Sequence, residues 1–385
     1  MPAPRTSQIV TTALDGTGAR YLGSIGHVSG LVYSFACPGG CDQLSATLTV
    51  PASYKTQAME AGRLVQVIRG AGSVWNGQML EPEPTPGGWA LTAVGSGNFG
   101  TNFGAMYTTW NNNPDEAVNE AIAGGLPWTN AGIGSPAGMW LGQRVDPGAQ
   151  TITALLNLVT TRGGLVWEVS RRNALSVVPL PAAVDRLLIS STPVARTLGG
   201  YYNTIPVRYQ TPNPLAQLLI KTPTVFRTTV VTNQASVDAH GPLWAPLLDL
   251  SSALVGSGAN PEGLLVERSA QAVGNFVLQR YQGASFAGPF AVSPSQLLTT
   301  GGVPVDLGSQ KAGMVCQLIL TDYGYGAELS ASPVTFLVGG YSYDDDAQVA
   351  TVTPFQNLRS DIGSLLAVAA GQRGRGVGDW QRGGR

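Results

Sequence analysis

Short apolar segments separated by glycine- and proline-rich turns fill the first hundred residues, and they limit this region to a fold built from many strands. In LSATLTV (44–50), Leu44, Ala46 and Leu48 fall on one face, and polar residues fall on the other. This alternation is typical of a strand with one buried face. Four more segments have strand character: 31–36, 63–69, 73–79 and 88–95. Strands at this spacing predict a small barrel or sandwich.

Helix signals begin after residue 100. Asn113 and Pro114 are suited to the N-cap and first position of a helix that stops at Gly124 and Gly125. A second helix is predicted between Asp146 and Gly163. Its apolar stripe consists of Ile152, Leu155, Leu156 and Val159. The segments that follow it, 165–170 and 174–180, predict a hairpin.

The second half of the chain repeats this mixture of strands and helices. Six further strands are predicted at 186–191, 203–210, 224–232, 313–322, 331–340 and 347–353. A third helix begins at Asn260 and Pro261 and stops at Gly283. A fourth runs from Pro354 to Ala370 and precedes a Gly/Arg-rich end that is expected to be flexible.

The composition indicates a chain that works inside an assembly. Charged residues make up 12% of the chain, about half the roughly 25% of ordinary domains. A net charge of −1 gives no basic field that would attract nucleic acid. Of the 22 basic residues, 19 are arginine and three are lysine, and arginine is enriched where surfaces become interfaces. A codon bias towards Arg, Gly and Ala is the alternative explanation.

No segment of the sequence predicts a stable insertion into a membrane. The N-terminus lacks the apolar core of a secretory signal. No apolar run reaches the roughly 18 residues of a membrane span. Three cysteines in a chain without a signal suggest a reducing compartment.

Two of the three cysteines stand close together in the segment CPGGC. Cys37 and Cys41 could be the ends of a turn with free thiols, a local disulfide or half of a metal site. The other candidate ligands, Cys316, His27 and His240, are not paired as structural zinc ligands usually are. A redox pair normally has two residues between its cysteines, whereas this pair has three.

The remaining candidates for chemistry are isolated patterns. GSGNFG (95–100) matches a dinucleotide fingerprint, but no helix opens after it, so it predicts a loop between domains. The acidic run 344–346 predicts a solvated turn, with cation binding as the alternative. Glu81 and Glu83 lie in a proline-rich hairpin connection. We therefore predict no catalytic, cofactor-binding or metal residues.

The N-terminal ninety residues resemble the opening barrel of baseplate hub or minor tail proteins (tail-tip hub proteins) of long-tailed, siphovirus-type bacteriophages. The similarity lies in a strand that leads into a Cys-Pro-Gly-Gly turn and in a strand pair with a V-x-V…W-x-G pattern. The matching positions are Cys37, Pro38, Gly39, Gly40, Val65, Val67, Trp75 and Gly77. The segments 114–128, 152–181 and 186–210 are also similar to the second domain and to the start of a second barrel in that family.

The resemblance implies a mainly β fold with α+β insertions, in which two tail-tube-like β-barrel domains accompany small α/β domains. The expected segments are a first barrel (1–100), an α/β domain (101–185), a second barrel (186–232 and 303–353), a helix-containing insertion (233–302) and a C-terminal helix with a flexible tail (354–385). By this resemblance CPGGC is a turn between strands, and its thiols have no chemical role.

The implied function is structural. Three chains would form a homotrimeric ring at the tail tip of the virion, after assembly in the host cytoplasm. The ring would join the tail tube to the host-recognition apparatus and surround the channel for the tape measure protein and for DNA in transit. Its other partners would be the distal tail protein and tail-tip or receptor-binding proteins. No cofactor is implied.

Two other classes of function are alternatives to the hub. A host-surface glycan-binding module could use aromatic residues such as Tyr323 and Tyr325, although packing at a strand edge is their commoner role. A cell-wall enzyme would need a catalytic motif, and the sequence has no G-x-S-x-G, H-E-x-x-H or P-loop pattern.

Overall fold

The structure is a computed structural model, and it is mainly β. It describes residues 7–51, 56–104, 114–130, 151–163, 165–179, 181, 183–190, 196–197, 202–212, 224–250, 267–282, 285–286, 289–320 and 334–355. Within these residues the chain forms 22 strands and four α-helices. None of these helices has both the length and the apolar character that crossing a bilayer requires.

The N-terminal strands form an antiparallel sheet. They are β1 (Ser7–Thr12), β2 (Arg20–Tyr21), β3 (His27–Ala36), β4 (Gly39–Thr49), β5 (Leu64–Arg69), β6 (Gly72–Met79), β7 (Glu83–Thr85) and β8 (Gly88–Gly95). Their order is β2–β1–β5–β6–β8–β4–β3, and β7 pairs with the first half of β8. The five strands predicted from the apolar segments are all confirmed.

The middle of the chain is an α/β unit on one end of this sheet. It contains α1 (Pro114–Ala123), β9 (Thr129–Asn130), α2 (Ile152–Gly163), β10 (Leu165–Val169) and β11 (Ala174–Pro179). The predicted hairpin and the first two helices are confirmed, although the proposed starts at Asn113 and Asp146 lie outside the described residues. A parallel pairing between β10 and β4 connects the unit to the N-terminal sheet.

The C-terminal half contributes the remaining elements. They are β12 (Arg186–Ser190), β13 (Arg196–Thr197), β14 (Thr204–Pro212), β15 (Thr224–Thr232), α3 (Gln234–His240), β16 (Leu248–Asp249), α4 (Glu267–Gln282), β17 (Ser285–Phe286), β18 (Phe290–Val292), β19 (Leu297–Thr299), β20 (Val315–Leu320), β21 (Val334–Asp344) and β22 (Val349–Pro354). The helix α3 was not predicted. The predicted start of the third helix lies outside the described residues. The predicted start of the fourth helix is wrong, because Pro354 is the last residue of β22, and the rest of that helix lies outside the described residues.

The strand β21 joins the two halves of the chain in one sheet. Its first residues pair with β20, and its later residues pair with β22 on one side and with β3 on the other. In the pairing with β3, Tyr341 lies opposite Phe35 and Tyr343 lies opposite Tyr33. Because β12–β20 and β9–β11 are parallel pairs, the large sheet is mixed. The mainly β fold is thus confirmed, while two separate barrels stay a prediction.

Three hydrophobic cores follow this topology. The largest contains residues from the N-terminal strands and from β12, β20, β21 and β22, so both halves share one interior. A second core lies between α1, α2, β10 and β11, where the Trp128 and Trp167 rings are 6.0 Å apart. The third lies between α4 and the small sheet β15–β14–β16. The predicted boundaries of the five segments stay predictions.

We expect the substitution Gly40→Ala to destabilise the chain strongly. Gly40 has φ +106°, and an added Cβ would collide with the Val169 carbonyl oxygen across the β4–β10 pairing. The strain and the collision together should lower the free energy of unfolding by roughly 2–4 kcal/mol. Urea denaturation measures this loss.

The matched control is Gly30→Ala. Gly30 also has a positive φ, +60°, but no atom lies within 4 Å of its added Cβ. In this variant the free energy of unfolding should fall by only about 1–2 kcal/mol, the cost of placing a residue with a Cβ at a positive φ. Equal losses of unfolding free energy in the two variants would show that the close backbone contact between β4 and β10 does not contribute to stability.

Candidate functional site

Two motifs singled out in the sequence pack against each other. The CPGGC segment forms the tight connection between β3 and β4, as predicted, and GSGNFG continues from β8 into a short 3-10 helix, Ser96–Asn102. A Cβ at Gly97 would lie 2.7 Å from the Gly39 carbonyl oxygen and 2.8 Å from that of Cys41. The glycine at this position therefore permits a close approach between two backbone segments.

A buried polar network surrounds this contact. Asn76 Oδ1 accepts hydrogen bonds from Ser96 Oγ at 2.9 Å and from Cys41 Sγ at 3.2 Å. The amide nitrogen of Asn76 donates to Asn173 Oδ1, in the β10–β11 turn. Trp128 Nε1 donates to the Ser96 carbonyl oxygen at 2.8 Å. These bonds join the N-terminal sheet to the α/β unit.

The three cysteines are buried, and none of them forms a disulfide bond. Burial raises the pKa of the Cys41 thiol to about 11 and that of Cys316 to about 12. Both thiols are therefore protonated at neutral pH, whereas the thiolate is the form that binds metal and attacks substrates. Among the described residues, no three His, Cys, Asp or Glu side chains are grouped to hold a metal ion.

The second buried site is an ion cluster around Arg69, the last residue of β5. Its Nε lies 2.9 Å from Asp306 Oδ2, and its Nη1 lies 2.6 Å from Asp345 Oδ1. Only 2% of the Arg69 side chain is exposed. Ser7 Oγ, on β1, also donates to Asp345 Oδ1 at 2.7 Å. We call Arg69, Asp306, Asp345 and Ser7 the arginine cluster.

The walls of the arginine cluster leave little room around the guanidinium group. Arg69 Cζ lies 5.1 Å from the centroid of the Tyr343 ring, a cation–π distance. A Cβ at Gly308 would lie 2.6 Å from Arg69 Nε. Burial opposes the charge on Arg69, but the hydrogen bond to Asp306 and the other nearby charges raise its pKa, so the charge is kept.

Two tyrosines attach the segment that carries Asp306 to the shared sheet. Tyr33 Oη donates to the Gly308 carbonyl oxygen at 2.7 Å, and Tyr341 Oη donates to that of Leu307 at 2.7 Å. Burial raises the pKa of both phenols, so both remain donors at neutral pH. The cluster thus fixes β5, residues 306–308 and the β21–β22 turn relative to one another.

The prediction of a solvated acidic turn at residues 344–346 is wrong for Asp345, which is paired with Arg69. Asp344 Oδ1 accepts hydrogen bonds from two backbone N–H groups of its own turn. Asp346 Oδ2 accepts from the Gly30 backbone nitrogen at 2.6 Å. The three carboxylates therefore point to three different donors, and nothing in this arrangement favours a cation site.

The other residues considered from the sequence are dispersed. His27 is the exposed first residue of β3 rather than part of a loop, and His240 ends α3. Glu83 begins β7, which confirms the hairpin connection. Tyr323 and Tyr325 lie outside the described residues. Sequence reasoning missed Arg69 and Asp306, because no local pattern marks two residues that are 237 positions apart.

Comparisons with solved structures identify the class of fold. The chain is similar to a 43 kDa tail protein of prophage MuSo2 from Shewanella oneidensis, with a TM-score of 0.58 and 13% identity, over 90% of this chain and 98% of that protein. It is also similar to a tail protein from Neisseria meningitidis MC58, with a TM-score of 0.55 and 13% identity, over 91% and 96% of the two chains.

A prophage tail protein from Listeria monocytogenes EGD-e gives a TM-score of 0.59 at 9% identity, over 94% of this chain and 99% of that protein. No protein-family profile and no curated protein sequence matches the chain. The similarity therefore lies in the fold, which extends over nearly the whole length of each chain. This chain has the fold of phage tail proteins.

We expect Arg69→Met to lower the free energy of unfolding by about 3 kcal/mol, because it leaves two carboxylates near a buried apolar side chain. Chemical denaturation measures the loss. Arg20→Met, on the exposed strand β2, is the control and should change stability by less than about 0.5 kcal/mol. A loss for Arg69→Met as small as that of the control would show that the arginine cluster does not hold the halves together.

Proposed function

We propose that this chain is a structural, non-catalytic subunit of a phage tail, located at the tail tip or baseplate of the virion. The observation that carries the proposal is the similarity, over at least 90% of this chain, to three tail proteins, two of which are prophage tail proteins. Each of those proteins is matched over at least 96% of its length. The similarity that supports the proposal therefore extends over nearly all of this chain and is not limited to one short segment.

The buried contacts support a mechanical role. The two halves share one sheet and one core, and the arginine cluster ties three distant segments together. Burial raises the pKa of the Cys41 and Cys316 thiols and keeps both protonated, and the carboxylates of the acidic turn accept hydrogen bonds. These groups stabilise the fold, which suits a subunit that must stay rigid while a tail assembles on it.

The finer proposal is a homotrimeric hub ring. Two tail-tube-like barrels in each of three chains would place six similar units around the axis, so the ring could dock on a six-fold tail tube. The ring would surround the channel for the tape measure protein and for DNA in transit, and it would contact the distal tail protein and receptor-binding proteins. The low charge and the high ratio of arginine to lysine suit such permanent interfaces.

Light scattering on the purified chain tests the ring. At increasing concentration we expect the mass to approach three times the 40.0 kDa of one chain. Because association follows mass action, dilution should return the mass towards that of the monomer. A mass of 40.0 kDa at every concentration would contradict the homotrimer and would favour a tail module that acts as a single chain.

A further inference from the structure

A polar cavity of about 740 Å³ lies where the α/β unit meets the C-terminal half. Its walls are the β10–β11 turn, the start of β12 and residues 309–314. Its size falls within the roughly 300–1,000 Å³ of ordinary ligand sites, but such sites are usually lined by apolar groups. We call this cavity the junction pocket. Its charged lining residues are Glu168, Arg171, Arg172, Asp185, Arg186 and Lys311.

The junction pocket has an excess of positive charge. Four cations (Arg171, Arg172, Arg186 and Lys311) face two carboxylates (Glu168 and Asp185), which gives a formal charge of +2. The single ion pair among these described side chains joins the Lys311 ammonium group to Glu168. Within the described residues, therefore, no carboxylate forms an ion pair with the guanidinium groups of Arg171, Arg172 and Arg186.

The hydrogen bonds of the three arginines leave donors available. Arg171 Nη2 donates to the Ser309 carbonyl oxygen at 2.7 Å, and Arg186 Nε donates to Gln310 Oε1 at 3.0 Å. The exposed Arg172 side chain makes no hydrogen bond or ion pair within the described part of the chain. Because guanidinium donors match the oxygens of a carboxylate, the pocket is suited to acidic side chains.

The chain itself carries an exposed acidic segment. Residues 70–143 contain no lysine or arginine, and within them EPEP (81–84) presents Glu81 and Glu83 as exposed side chains. The prolines restrict the backbone of this segment, so little conformational entropy would be lost when it docks. We call residues 81–84 the acidic segment.

The acidic segment and the junction pocket lie at opposite ends of β4. Near the start of this strand, Gly40 pairs with Val169, beside the pocket. Near its end, Leu48 pairs with Trp89, which in turn lies opposite Pro84 of the acidic segment. Eight residue steps along a strand span about 25 Å. The two features are thus far apart in one chain and can pair between two copies.

We propose that the acidic segment of one copy of this chain docks into the junction pocket of the next copy, with Glu81 and Glu83 against Arg171 and Arg172. Two different patches that meet head to tail make a heterologous contact, which closes into a ring when the rotation allows it. The inference rests on the proposed ring and names the contact that would hold it together.

Charge reversal tests the contact in the full-length chain. E81K/E83K places like charges against the pocket, and R171E/R172E does so from the other side. Light scattering measures the protein concentration at which half of the chains are assembled. In each variant this concentration should rise at least about tenfold. The quadruple variant E81K/E83K/R171E/R172E restores opposite charges at every contact and should bring this concentration back towards that of the unmodified chain.

The matched control is E60K/D238K, which makes the same change in net charge at two other exposed acidic positions. It should assemble as the unmodified chain does. Thermal unfolding of each variant shows whether it is folded, and E81K/E83K changes only exposed side chains. If R171E/R172E is unfolded, the test of the contact rests on E81K/E83K alone. Normal assembly of folded E81K/E83K would then overturn the proposed contact.

The other outcomes separate the contact from the ring. Two outcomes would overturn the proposed contact but not the proposed ring. In the first, neither charge reversal affects assembly. In the second, both reversals weaken assembly and a folded quadruple variant does not restore it. A chain that is monomeric without any substitution would overturn the ring and the contact together. Loss of assembly confined to the reversals, with recovery in the quadruple variant, is the expected result.

Discussion

A buried guanidinium group is the constraint on which the rest of this structure depends. Arg69 ends a strand of the N-terminal sheet with its side chain removed from water, and a charge in that position is costly unless it is paired. Its two carboxylate partners come from residues 306 and 345. The interior of the N-terminal sheet therefore depends on residues near the C-terminal end of the chain, which supply the partners of Arg69.

The pairing of β3 with β21 makes the same connection through the backbone. Tyrosines from both strands enter one core, and two of them hold the segment that carries Asp306. The role proposed for this chain, a structural subunit of a tail, requires that its two halves stay together. A chain whose first and last strands share a sheet is suited to this, since neither half can move far alone.

Local elements were predictable from the sequence and long-range contacts were not. Alternation in LSATLTV placed β4, and the Pro114 and Gly124 signals bounded α1, because both patterns are encoded within a few residues. The pairing of β3 with β21 has no local signature, so the mixed sheet could not be derived. Asp345 was assigned to solvent because its partner, Arg69, lies 276 positions away. The glycines of GSGNFG predict a loop, but the sequence does not reveal that the neighbour of this segment is the CPGGC backbone.

Native-state hydrogen exchange of the amides in β3, β5, β21 and β22 tests most directly whether the two halves form one body. If they do, these strands open together, with one free energy and one dependence on denaturant. A lower opening free energy for β21 and β22, while β3 and β5 remain protected, would contradict the account. It would show that the C-terminal strands are an attachment to an N-terminal sheet that is stable without them.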